Sequence, residues 1–270
     1  MSARFCSVVR ACDCYDPFVL QHLRHAEITR RVRRAGATSV RDLAVQLGVS
    51  PSTIRRDLEL LGRDGTLTRV RGGALASPDA DVERPFAEVL GVDEQAKESV
   101  AAAAAAMVED GEVLLLDIGT TTVRLARHLA RRRVTVVTSS LAVLDVLRDD
   151  PVVEVLLLGG RLRRAYHSLV GMLTEEALRQ VCADRLFLGA GGVRPDGQVT
   201  DTTVAEVPLK RAMITAARQV VLLVDRNKFP GTGALRVCGA EDIDMLVTNE
   251  GADPATLSVL TGAGVSVVTA

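Results

Sequence analysis

The sequence predicts a chain of two parts: a small winged helix-turn-helix at the amino terminus and, after a linker, a larger Rossmann-like α/β domain built on a parallel sheet. Three observations lead there. Short amphipathic helical patterns followed by a basic, alternating segment occupy residues 23–75. Apolar β-rich runs alternate with helical patterns across residues 96–270. Charge is also divided unevenly: residues 1–75 hold 13 Arg, no Lys and 7 Asp and Glu, a net +6, whereas residues 76–270 hold 20 Arg and Lys against 27 acids, a net −7. A basic head on an acidic body confines nucleic-acid contact to the amino terminus.

The opening stretch MSARFCSVVRACDCYDPF shows no periodicity, and residues 1–22 are read as an extension outside the folded part, disordered or upstream of the true start. Cys6, Cys12, Cys14, His22 and His25 contain enough ligand types for zinc, but their spacing matches no structural zinc pattern, so no metal is expected. A helix from about Glu27 to Ala35 brings Ile28 and Val32 to one side. Ser39 then caps a run whose Val40, Leu43, Ala44 and Leu47 fall at i, i+3, i+4 and i+7. Asp42 completes an S-x-x-D box and Gly48 ends the helix. The next helix opens with Ser50 as cap and Pro51 in the first turn, and buries Ile54, Leu58 and Leu61. Ser52, Thr53, Arg55, Arg56 and Glu59 are left facing water.

Three short helices with a glycine turn make a helix-turn-helix. Gly65 and Gly72-Gly73 then bracket TLTRVR, a wing hairpin in which Leu67 and Val70 are expected to face the helices, and Thr68, Arg69 and Arg71 to face solvent. An Arg-Arg pair is ordinarily a solvated surface. On the second helix of a helix-turn-helix, beside a basic wing, its forked donors suit guanine edges and phosphates. Ser52, Thr53, Arg55, Arg56, Arg69 and Arg71 are therefore the candidate contacts to double-stranded operator DNA. A single winged helix holds DNA weakly, so a homo-oligomer, at least a dimer, is expected.

Residues 76–95, with Pro78, Pro85 and several acids, read as a linker. Beyond them lie EVLLLD, RVTVVT, VVEVLLL, DRLFLG, QVVLLVD, MLVTN and VSVV, the pattern of a parallel sheet covered on both faces. VAAAAAAMV is too short for a membrane helix and reads as a helix packed through small side chains; no membrane partner is expected. Five cysteines, an odd number with no signal peptide ahead of them, point to a reducing cytoplasm.

In such sheets ligands bind beyond the carboxyl ends of the strands. VLLLD runs from Asp117 into a turn at Gly119, and Thr120, Thr121 and Thr122 open a helix there, a geometry suited to phosphate. The plainer reading is a strand-to-helix turn with a threonine cap. Ser139 in TSS, Gly160 and Arg161 in LGGR, Gly189 in LGAGGV, and VDRNKF complete a polar, glycine-lined mouth. Lysine occurs only at positions 97, 210 and 228, and Lys228, just past a strand end, is placed in the pocket as a compact ammonium; a loop lysine on the surface is its alternative. No cofactor is called for.

Together these motifs resemble the DeoR family of bacterial transcriptional regulators. LAVQLGVSPSTIRRDLELLGRDGTLTRVRGGA is similar to that family's helix-turn-helix and wing. DIGTTT, LLGGR, SLVG, FLGAGGV and DRNKF follow in the order of its sugar-phosphate sensor domain. The resemblance covers the chain from about Glu27 onward. It implies a body related to ribose-5-phosphate isomerase and CoA-transferase folds, a phosphorylated sugar as effector, and repression of a carbohydrate-metabolism operon. Two positions depart from the family. Ser139 stands where members commonly carry Asn, altering hydroxyl recognition, and Arg71 stands where the wing often carries His, leaving DNA affinity less dependent on pH. The competing class is a sugar-phosphate isomerase-like enzyme with an appended DNA-binding domain, which needs a carboxylate beside the substrate carbonyl. GAGGV, aligned with the acid-bearing loop of such isomerases, holds none, leaving only Asp201, Glu206 and Asp225; a regulator rather than an enzyme is expected.

Overall fold

The computed structural model describes residues 37–63, 67–76, 86–231 and 233–270, with eight further residues between Gln21 and Val32. The chain divides into two compact units, residues 1–80 and 81–270.

In the first unit the described residues from Arg24 to Val32 are helical and precede β1 (Ala37–Ser39), α1 (Val40–Leu47), α2 (Pro51–Arg63), β2 (Leu67–Val70) and β3 (Gly73–Ala76). The caps form as the sequence predicts. Ser39 Oγ accepts the Asp42 N–H at 3.1 Å, Gly48 returns its N–H to the Ala44 carbonyl, and Ser50 Oγ accepts the Thr53 N–H at 3.1 Å. Ile28, Val32, Leu43, Ile54, Leu58, Leu61, Leu67 and Ala74 make one core.

Three features differ from the expectation or lay outside it. β1, too short to carry a period, pairs antiparallel with β3, so the wing has three strands in the order β1-β3-β2. Val70 is 38% exposed rather than packed on the helices. Side chains alternate along a strand, so residues three apart cannot share a face, and Leu67 alone turns inward. Asp57, one position after the arginine pair, is buried: Arg24 donates to it from Nε at 2.6 Å and Nη2 at 3.1 Å, and His25 Nε2 lies at 3.0 Å. The candidate zinc ligands Cys6, Cys12, Cys14 and His22, together with Ala35 and Gly65, lie outside the described residues.

The second unit opens with α3 (Phe86–Leu90) and α4 (Glu94–Ala105), both beginning inside the segment read as linker. Phe86, Val89 and Leu90 stand at i, i+3 and i+4, and Phe86 is buried in the core, which is why this stretch folds rather than bridges. Next come β4 (Val113–Leu116), α5 (Thr120–Leu129), β5 (Thr135–Thr138), α6 (Leu141–Leu147), β6 (Glu154–Leu157), β7 (Arg161–Arg163), β8 (Ser168–Val170), α7 (Met172–Leu178) and β9 (Ala183–Gly189). The chain ends with β10 (Gly192–Val193), β11 (Val199–Asp201), α8 (Val207–Ala216), β12 (Ala217–Leu223), β13 (Leu235–Cys238), β14 (Met245–Thr248), α9 (Pro254–Gly262) and β15 (Ser266–Thr269).

All seven apolar runs become strands of one parallel sheet, in the order β15-β14-β12-β9-β4-β5-β6. Leu114, Leu116, Phe187, Val221 and Leu223 pack on one face with α4, α5 and α6. Leu115, Leu186, Leu188 and Leu222 pack on the other with α7, α8, α9 and the small antiparallel sheet β10-β11-β13. Val100, Ala101, Ala104 and Ala105 let α4 approach closely, as its alanine run predicts. Cover thins at the outer strands and most at β6, where Leu156 is 50% exposed. From β4 the chain steps outward through β5 and β6, then returns to lay β9 on the opposite side of β4. The order of winding therefore reverses between β4 and β9, where α/β sheets leave a crevice.

Replacing Asp57 by Ala strands the Arg24 and His25 donors that join the amino-terminal helical segment to α2. A loss of about 1–3 kcal/mol from the first unit is expected, read as faster amide exchange across Ile54–Leu61 with the second unit unchanged. Unaltered exchange would show that the carboxylate holds nothing together.

Candidate functional site

The amino-terminal candidates occupy two elements of one unit. On α2, Ser52, Arg55 and Arg56 are exposed and Thr53 is half-buried, all off the stripe made by Ile54, Leu58 and Leu61. Ser50 Oγ sits 2.7 Å from Ser52 Oγ and 2.9 Å from Thr53 Oγ1, tying the hydroxyls of the first turn together. Arg69 is exposed on β2 and Arg71 at the hairpin tip.

In the second unit a cavity of about 540 Å³ opens at the carboxyl ends of β4, β9 and β12. Gly119, Thr120, Thr121 and Thr122 line it after β4, Gly189 to Gly191 after β9, and Val224, Asp225 and Lys228 after β12. Gly119 has φ 134°, a conformation that side-chain-bearing residues avoid, and this sharp turn starts α5 directly beneath the strand end. Its carbonyl accepts the Val123 N–H at 3.1 Å and the Thr122 hydroxyl at 2.9 Å. The N–H groups of the first turn have no acceptor within their own helix and carry its positive end.

Lysines 97 and 210 line the same cavity as Lys228, so all three lysines of the chain converge on one pocket. The sequence reading took only Lys228; the scarcity of lysine among thirty arginines was the signal that could have found the other two. Lys210 is the deepest. Its ammonium donates to Asp117 Oδ2 and, at 2.9 Å, to the Gly189 carbonyl, and lies 3.3 Å from Asp201 Oδ2. Burial disfavours this charge, but Asp117, Asp201 and Glu206 outweigh it and hold Lys210 above its ordinary value, so it is an ammonium whenever the protein is folded. Burial pushes the Asp117 carboxyl up, against the pull of Lys210 and the Gly189 N–H at 2.9 Å. Glu206 is bound in turn by Arg163, which also donates to Thr203 Oγ1 at 3.2 Å.

Four candidates do not line the cavity. Asp117, 1% exposed, stands behind Lys210 and anchors it. Ser139 follows β5, one strand beyond β4 on the side away from β9. It is fully buried, and its carbonyl accepts the Leu169 N–H at 2.8 Å. Gly160 and Arg161 follow β6, a strand further out. A Cβ at Gly160 would meet Thr174 Oγ1 at 2.1 Å, so that glycine serves packing, and Arg161 is exposed on β7. Loop motifs adjacent in the sequence were read as one mouth, but the strand order carries β5 and β6 away from it.

Residues 24–78 match the family model of the DeoR-like helix-turn-helix domain, and residues 92–250 match that of the DeoR C-terminal sensor domain. This chain belongs to the DeoR family. Its first unit is thus a DNA-binding winged helix, and the protein is a transcriptional regulator. It is similar to the glycerol-3-phosphate regulon repressor of Escherichia coli (strain K12), 31% identical over 89% of this chain and 96% of the relative. The repressor of the same description from Haemophilus influenzae is 32% identical over 85% of this chain and 90% of its own. Among solved structures, a D-ribose-5-phosphate isomerase in complex with phospho-erythronic acid aligns with 50% of this DeoR-family chain and 54% of its own, at 19% identity and a TM-score of 0.38.

Removing one partner of a buried ion pair leaves the other uncompensated. Lys210→Met is expected to cost the second unit about 3–5 kcal/mol in urea unfolding at neutral pH. The buried Asp117 carboxyl, left without its ammonium, takes up a proton more readily folded than unfolded, so the deficit shrinks as pH falls. A deficit independent of pH would mean that the ammonium does not hold this carboxylate.

Proposed function

We propose that this DeoR-family regulator is a cytoplasmic repressor of a carbohydrate-metabolism operon, and that a phosphorylated sugar bound in the β4–β9–β12 pocket modulates its grip on operator DNA. The observation that carries this reading is the convergence of the α5 amino terminus and three lysines on one cavity at the switch point of the sheet. A phosphoryl group bears close to two negative charges, and oriented N–H groups with a nearby ammonium favour it over neutral ligands. In this reading the first turn of α5 and Lys228 take the phosphate. Asp225 and Thr202, also on the pocket wall, accept or donate to sugar hydroxyls. The relatives' description as glycerol-3-phosphate regulon repressors agrees with a small phosphorylated polyol or sugar. Of the acids an isomerase could recruit, Asp201 and Glu206 are engaged by Lys210 and Arg163, and Asp225 accepts the Asn227 N–H at 2.9 Å.

The DNA-facing set remains Ser52, Thr53, Arg55, Arg56, Arg69 and Arg71. A homo-oligomer is part of the proposal because a winged helix reads a short half-site. The apolar edge of β6, with Leu156 and Leu157 half-exposed, is a surface that a second copy would cover. Among the described residues no helix is long and apolar enough to cross a membrane.

Two experiments test the two halves. Arg55→Ala with Arg56→Ala is expected to abolish gel shift of the protein's own upstream DNA while thermal unfolding is unchanged, since each good base contact is worth about 1–3 kcal/mol; unchanged affinity removes the pair from the interface. Thr121→Ala with Lys228→Ala should bind operator normally yet ignore a sugar-phosphate panel that acts on the wild type. A wild-type response from that variant would place the effector elsewhere.

A further inference from the structure

The wall of the pocket includes the element through which the sensor joins the rest of the chain. α3 is the first described element of the second unit, and residues 77–85 separate it from the end of the wing. Both of its ends are held by residues that also line the cavity. At its start, the Phe86 ring meets Tyr166 edge-on at 5.6 Å and stacks on His167 at 5.8 Å. Tyr166 lines the pocket and carries the Arg163 guanidinium 5.3 Å above its ring, and Arg163 binds Glu206 on the pocket wall.

At the end of α3, two buried cations donate to carbonyls of its last turn, one of which, Val89 O, also accepts the Val92 N–H at 3.2 Å. Lys97 Nζ donates to Val89 O at 2.9 Å, and Arg124 Nη2 donates to Leu90 O at 2.8 Å. Lys97 and Arg124 are each 4% exposed, and Val89 and Val92 themselves face the cavity.

Lys97 is unlike the other two lysines. Lys210 is surrounded by carboxylates, and Lys228 is only half-buried. Lys97 is desolvated, and burial pulls it below its ordinary value. Asp225 and Asp93 favour its charge while Lys228 and Arg124 oppose it. An ammonium has three donors, and the Val89 carbonyl uses one.

We propose that Lys97 binds the anionic group of the ligand through its remaining donors while keeping the Val89 carbonyl, so that an occupied pocket fixes α3 against the sensor. One charged group then donates to both the anion and Val89 O, so displacing either partner disturbs the other. Lys97 thus makes one contact serve both ligand and connector. By reciprocity, whatever pulls α3 away weakens the ligand by the same factor. This inference rests on the pocket reading above and adds the route by which occupancy reaches the segment leading to the DNA-binding unit.

Amide hydrogen exchange on the full chain tests it, with inorganic phosphate, glycerol 3-phosphate and fructose 6-phosphate as probes. In the wild type a binding probe is expected to slow exchange at residues 119–123 and, in parallel, at 87–92 by about five-fold or more, the low end of measured couplings between sites. In Lys97→Met the 119–123 response should survive at higher probe concentration while the 87–92 response disappears. Lys97→Gln, which keeps a donor for Val89 O but no charge, should fold like the wild type and lose the same response. Protection at 119–123 with 87–92 unchanged in the wild type would overturn the coupling and leave the pocket standing. An equal 87–92 response in wild type and both variants at saturation would remove Lys97 from the route. Protection at neither segment would overturn the pocket reading and this inference with it.

Discussion

Where the winding of a parallel sheet reverses, two neighbouring strands send their chains in opposite directions and nothing in the backbone ladder holds the diverging loops. Here the ammonium of Lys210 does so. From α8 it reaches Asp117 at the end of β4, the Gly189 carbonyl at the end of β9, and Asp201 on β11. Three elements remote in sequence meet on one charge, in surroundings dry enough that each contact is strengthened and none is replaceable by water. The turn at Gly119 and the turn at Gly189 inherit their separation from it, so the cavity is shaped before any ligand enters.

The amino-terminal unit is stabilised on a different principle. Its core is a small aliphatic cluster, and the one buried carboxylate among its described residues, Asp57, looks inward to Arg24 and His25 rather than outward to the arginine pair beside it. Asp57 is thereby turned away from the arginines on the outer side of α2. Packing uses one face of this short helix and leaves Arg55 and Arg56 on the other.

What could be read from the sequence follows the range of the interactions involved. Periodicity and caps are local, so Ile54, Leu58 and Leu61, the Ser39 and Ser50 caps, and all seven strands of the large sheet are legible without coordinates. Strand order is not local. Ser139, Gly160 and Arg161 look like neighbours of Gly119 because each follows a strand, yet β5 and β6 step away from the crevice while β9 and β12 close on it. Lys97 and Lys210 are rare enough to stand out, but their place is hidden for the complementary reason: they sit inside helices, where a lysine ordinarily points to water, and only the packing of α4 and α8 turns them inward. Val70 faces solvent although it is expected inside, because a three-residue spacing returns to the same face of a helix but not of a strand.

The confinement of lysine to the pocket also separates two kinds of chemistry along the chain. The sequence from residue 1 to 96 contains no lysine, so the DNA-binding unit draws its permanent side-chain cations from guanidinium groups, which stay charged and resist acylation. Every side-chain amine belongs to the sensor, and two of the three are shielded by burial. A reagent or enzyme that acylates lysine side chains would meet Lys228 on the pocket wall and leave the side chains of the DNA-binding unit unmodified.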